Sequence, residues 1–150
     1  MRFFPTARAV RRLAISAALL ATACVGGNKQ PVLVHLQLQD LVIDSGAGQT
    51  GVEGQALPIP IVVHGLLSDG TQDKTHVIYC QIVSGGGTVQ VSGSPAVSGD
   101  GAEVLGPGDG TISVTWTLGA AGQPQQLHFY IPSSQTISTE VTATSTPAGG

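Results

Sequence analysis

Charge is scarce in this chain. Lys and Arg number six and Asp and Glu nine, together 10% of 150 residues, against about 25% in an average soluble domain. Disorder driven by charge is nevertheless not the first reading, because hydrophobic residues make up 41% and mean hydropathy is +0.25. Aromatics are only 4% and cysteines two, Cys24 and Cys80, so neither a disulfide framework nor a cysteine-rich metal site is at hand. No apolar run is long enough for a mature membrane helix. The longest, Leu13–Ala23, falls well short of a hydrocarbon layer about 30 Å thick. Helical periodicity is missing too. The 21 glycines and nine prolines favour turns over long helices.

The few charges are unevenly placed. Arg2, Arg8, Arg11 and Arg12 precede the apolar stretch LAISAALLATA (13–23), and Cys24 follows. A basic segment, a short apolar core and small residues before a cut site make residues 1–23 a secretory signal peptide. The ending Leu20-Ala-Thr-Ala-Cys24 resembles the lipobox of bacterial lipoproteins, with Ala21 where that family usually has Leu. The resemblance implies that Cys24 becomes the first mature residue and carries the lipid. Acyl chains contribute ~0.8 kcal/mol per buried CH₂, so two or three hold a domain at a bilayer surface. The alternative is an ordinary signal peptide cut near Ala23, which leaves Cys24 free to pair with Cys80. Val25, rather than Asp, follows Cys24, so the family's inner-membrane retention signal is missing and the outer membrane or cell surface is favoured.

From Cys24 onward the chain keeps Lys29, Lys74 and all nine acids, a formal charge of 2 − 9 = −7. Without arginine and with this balance it cannot neutralise a phosphate backbone, which excludes nucleic acid as a main partner. A polybasic membrane patch is excluded on the same ground. The expected membrane contact is the N-terminal lipid.

Residues 24–31 read as a flexible tether, 32–145 as one folded domain and 146–150 as a disordered tail. Within the domain, apolar residues recur at every second position: Val34, Leu36 and Leu38; Ile59, Ile61 and Val63; Ile78, Cys80 and Ile82; Ile112, Val114, Trp116 and Leu118; Leu127, Phe129 and Ile131; and Val141. Period two is the mark of a half-buried strand. Seven or eight such strands, separated by Gly-rich turns, predict an all-β fold, an antiparallel immunoglobulin-like β-sandwich closed over that set. Residues 44–56 and 92–110 are expected as loops.

Five segments carry a family resemblance: SGAGQTGVEGQALPIP (45–60), VSGGGTV (83–89), DGTISVTWTLG (109–119), AGQPQQL (121–127) and VTAT (141–144). They resemble bacterial immunoglobulin-like domains of group 1, the invasin/intimin type, over about residues 38–144. The resemblance implies an immunoglobulin-like sandwich serving as a spacer or adhesive module of surface proteins. That family usually occurs in tandem arrays, whereas one copy is present here.

Residues that could carry chemistry are few. Gly46-Ala-Gly-Gln-Thr-Gly51 matches a dinucleotide fingerprint, but Val-Glu-Gly-Gln-Ala-Leu-Pro follows where a helix must start. His35, His64, His76 and His128 stand singly, without metal-ligand spacing. Asp100, Glu103 and Asp109 cluster in one Gly-rich stretch, and hard cations take such oxygens, so they are the candidate calcium ligands. Tyr79 and Tyr130 fall on the outward face of their strands and are the candidate contacts for a small ligand, a glycan or a protein partner. No catalytic motif is present, and neither an enzyme nor a cofactor is expected.

Overall fold

The computed structural model describes residues 35–149. Ten strands follow in order: β1 (Leu38–Ser45), β2 (Thr50–Val52), β3 (Ile61–Leu67), β4 (Tyr79–Ser84), β5 (Thr88–Val91), β6 (Val97–Ser98), β7 (Glu103–Leu105), β8 (Thr111–Thr117), β9 (Gln125–Ile131) and β10 (Ser134–Thr146). They form two five-stranded sheets, β1-β3-β8-β5-β6 and β2-β10-β9-β4-β7. All pairings are antiparallel except that of β2 with β10. This is the all-β sandwich that the two-residue rhythm predicts.

The rhythm is cleanest where strands are paired on both sides. Ile112, Val114 and Trp116 on β8 face Leu127, Phe129 and Ile131 on β9 across the core, and all six are buried. Ile61, Val63, Ile78, Cys80, Ile82, Leu118 and Val141 complete the expected inward set. Burying a large apolar side chain contributes ~1.5–3 kcal/mol, so this core suffices without a disulfide.

Three expectations about the inward set are corrected. Leu36 is 45% exposed and precedes β1, while Val34 lies outside the described residues. In β1 itself the register shifts between Leu38 and Asp40 and again between Ile43 and Ser45, which is how a bulge breaks strict alternation. Leu41 becomes the buried residue there and Leu38 only packs at the margin. Ile59 is 50% exposed, because Pro58 and Pro60 cannot donate to a ladder and β3 starts only at Ile61. The Gln49 side chain takes over the backbone of Ile59, its Nε2 donating to Ile59 O at 2.7 Å and its Oε1 accepting from Ile59 N at 3.1 Å. Leu57 turns inward instead.

The two expected loops also hold strands. β2 lies within 44–56. The 92–110 stretch adds β6 to the edge of one sheet beside β5 and then β7 to the edge of the other beside β4. It crosses from sheet to sheet and buries Val104 on the way. At the C-terminal end β10 runs through Thr146, whose Oγ1 donates to Gly51 O at 3.0 Å, so the strand holds one residue expected in the tail.

Backbones come unusually close at one end of the sandwich. A Cβ on Gly119 would lie 1.6 Å from Gly85 O, so only glycine fits. Buried Gln125 closes this contact. Its Oε1 accepts from Gly119 N at 3.1 Å and its Nε2 donates to Ala120 O at 3.1 Å.

Candidate functional site

The outward face of the β7-β4-β9-β10 layer carries the chemistry. Register fixes its rows. Leu105, Tyr79, Tyr130 and Ser138 stand opposite one another along one line, and Glu103, Gln81, His128 and Glu140 along the next. Residues directly opposite in neighbouring strands point to the same side, so each line is one contiguous strip.

Gln81, Glu103, His128 and Tyr130 line a shallow open cleft of about 410 Å³. The Tyr130 hydroxyl donates to Glu103 Oε1 at 2.5 Å, and Gln81 Nε2 donates to the same oxygen at 3.2 Å. The bond to Glu103, then burial, then the charges of Glu103 and Tyr79 push the Tyr130 phenol up to about 12. Tyr79 and Tyr130 pair with ring centroids 5.6 Å apart, and His128 stacks on Tyr130 at 5.3 Å with planes 17° apart. The two tyrosines named from sequence are therefore brought together, and Glu103 joins them.

Asp100, Glu103 and Asp109 are not gathered into one site. Asp100 Oδ1 accepts from Gly86 N at 2.8 Å, and Asp109 Oδ1 accepts from Thr111 N at 3.1 Å, each fixing a turn. Among the described residues no group of three or more His, Cys, Asp or Glu is placed to hold a metal ion. Cys80 is fully buried and free, and burial pushes its thiol up to about 12. Cys24 lies outside the described residues.

Two of the histidines that stand singly in the sequence pair with acids in the fold. His64 Nδ1 meets Asp44 Oδ2 at 2.7 Å and His76 Nδ1 meets Asp73 Oδ2 at 3.0 Å. His128 belongs to the tyrosine face. Asp73 went unnoticed in the sequence, yet it is the most buried acid, 1% exposed. Burial alone pushes its carboxyl up. The His76 N–H, the Thr75 hydroxyl and the His76 imidazole outweigh that and hold it below the ordinary value. A signal existed: Asp69-x-Thr71, Asp73-x-Thr75 and Asp109-x-Thr111 repeat one pattern, and in each the Asp accepts from the backbone N–H two residues on.

The fold resembles that of domains of the S-layer protein SbsC. Domains 4 and 5 of the S-layer protein SbsC match with a TM-score of 0.52 at 20% identity, over 73% of this chain and 53% of that one. A longer structure of the same surface layer protein, domains 4–9, matches with a TM-score of 0.54 at 20% identity, over 76% of this chain and 15% of that one. The chain thus spans about half the length of the first and a small part of the second, and at this identity the likeness is one of fold. No family model and no curated protein matches the chain.

Proposed function

We propose that this protein is a non-catalytic immunoglobulin-like module of the bacterial cell envelope, anchored by lipid on Cys24 and serving a structural or adhesive role at the outer membrane or cell surface. The observation that carries this reading is the sandwich it shares in outline with S-layer domains. The export signal, the lipobox-like ending at Cys24 and the resemblance to group 1 bacterial immunoglobulin-like domains point the same way. The core supports a mechanical role, for it is filled by interlocking side chains from both sheets. The sheet edges support a module that does not polymerise through its strands. β1 is bulged twice, and β2, β6 and β7 have two or three residues each, which blunts strand addition.

The test is mass spectrometry of the mature N-terminus combined with membrane fractionation. The expected species starts at a lipid-modified Cys24, and Cys24→Ser releases the protein from the membrane fraction. An unmodified N-terminus, or a Cys24→Ser variant that still sediments with membranes, overturns the anchor.

One observation favours a second reading, an envelope protein that binds a ligand, a glycan or a partner through its tyrosine face. It is the open cleft lined by Gln81, Glu103, His128 and Tyr130, with Tyr79 paired to Tyr130 beside it.

A further inference from the structure

The cleft on the tyrosine face has an unbalanced set of hydrogen-bonding groups. Tyr130 has a single O–H, and it is spent on Glu103 Oε1. Gln81 Nε2 donates to the same oxygen. Among the described residues, no hydrogen bond engages the second carboxylate oxygen of Glu103 or the amide oxygen of Gln81, and no Lys or Arg pairs with Glu103. Glu140, in the same row, accepts from Gln126 Nε2 at 2.7 Å and has no cationic partner there either. Lone pairs and negative charge therefore face the solvent.

The rest of the body cannot satisfy them. Residues 35–149 contain nine acids, Lys74 and no arginine, a formal charge of 1 − 9 = −8. A second copy of this face would bring Glu103 and Glu140 against their own kind, which like-charge repulsion opposes. Stacking of His128 on Tyr130 covers the facing sides of those two rings, so they do not lie open as a platform for a sugar.

Beside the acceptors lies an apolar strip. Leu105 is 49% exposed directly opposite Tyr79, and Val77, 36% exposed, lies two residues before Tyr79. A surface with apolar and aromatic groups on one side and unspent acceptors with a carboxylate on the other matches one common chemistry. A long basic side chain has a hydrocarbon stem and a head that only donates.

Resting on the tyrosine-face reading above, we infer that the cleft lined by Gln81, Glu103, His128 and Tyr130, with Tyr79 and Leu105 beside it, is a docking site for lysine or arginine side chains of a basic protein segment. The stem lies on Leu105 and Tyr79. The ammonium or guanidinium reaches the unspent oxygens of Glu103 and Gln81.

The test is NMR titration of the full chain at pH 8 and low salt with three probes: hexalysine, hexa-asparagine and tetra-N-acetylchitotetraose. Hexalysine is expected to shift Leu105, Tyr79 and Tyr130 resonances, and hexa-asparagine to leave them unmoved. Glu103→Gln is expected to weaken hexalysine at least about fivefold, and Asp109→Asn, an acid removed from another surface, less than about twofold. Equal weakening by both variants, or shifts spread over the whole molecule, means general charge attraction and overturns the proposal. Shifts of Tyr79 and Tyr130 with the sugar and none with hexalysine keep the tyrosine face as a contact surface and overturn its cationic specificity. Silence with every probe overturns both.

Discussion

Removing the Asp73 carboxylate tests how the connection between β3 and β4 is held. Asp73 is 1% exposed, and its oxygens accept from Thr75 N at 3.2 Å, the Thr75 hydroxyl at 2.8 Å, His76 N at 2.9 Å and His76 Nδ1 at 3.0 Å. The segment is tied in turn to the sheet: Asp73 N donates to Gly65 O, Gly65 N to Gly110 O and Gly110 N to His76 O. Hydrogen bonds to a charged group contribute ~1.5–3 kcal/mol each, but water can reach His76, so Asp73→Ala is expected to cost about 3 kcal/mol in all. The cost must depend on pH. The carboxyl binds its proton less tightly folded than unfolded. Its contribution is therefore present in full above the unfolded value of about 4 and is lost as pH falls through the lower folded value. Urea unfolding of parent and variant at pH 7, 5 and 3 reads this directly. The gap between them should persist from pH 7 to 5, where the carboxylate stays ionised, and narrow from pH 5 to 3. A gap below about 1 kcal/mol at pH 7, or one wider at pH 3 than at pH 5, refutes the reasoning.

Two pairs of substitutions and one labelling probe test the packing. Gly119→Ala places a methyl 1.6 Å from Gly85 O and should cost more than about 3 kcal/mol, whereas Gly122→Ala, with φ +78° and open space, should cost ~1–2 kcal/mol; thermal or urea melts showing equal losses would contradict the close approach. Trp116→Ala should cost about 3–5 kcal/mol, and Trp116→Phe clearly less, because the buried Nε1 has no hydrogen-bond partner to lose. A Trp116→Ala cost under about 1 kcal/mol would place the indole outside the core. Cys80 should react with thiol reagents only as fast as the protein opens, since its sulfur is buried and its thiol pushed up to about 12; immediate labelling of native protein would contradict its place in β4.

What the sequence disclosed follows from how strands are supported. β8 and β9 are seven residues each and flanked by partners on both sides, so every second side chain is forced inward and the rhythm survives in the text of the chain. β1 lies at an edge, and its two bulges change the phase of its apolar residues. β6 and β7 are two and three residues long, too short to show a period, and exist through the strands they join. The candidate site was half visible for the same reason. Outward tyrosines are read from parity within β4 and β9. That Tyr79 faces Tyr130, and that Glu103 reaches both Gln81 and Tyr130, depends on register between strands far apart in the chain.

Parts of the segments 45–60, 83–89, 109–119 and 121–127, together with Ser145, approach one another at one end of the sandwich. Leu118 N donates to Gln55 O and Gly54 N to Leu118 O, joining 45–60 to 109–119. Gly85 and Gly87 of 83–89 press on Thr117 and Gly119, and Gln125 of 121–127 caps Gly119. Ser145, next to 141–144, donates its hydroxyl to Gly119 O at 2.9 Å. Five pieces of chain can share so small a space only if side chains are absent at the crossing and every polar group there is paired, since an unpaired one costs ~1–3 kcal/mol. Glycine, buried glutamine and short hydroxyl residues meet both conditions. The tyrosine face is under no such constraint: its residues point outward from strands whose other side already secures the fold.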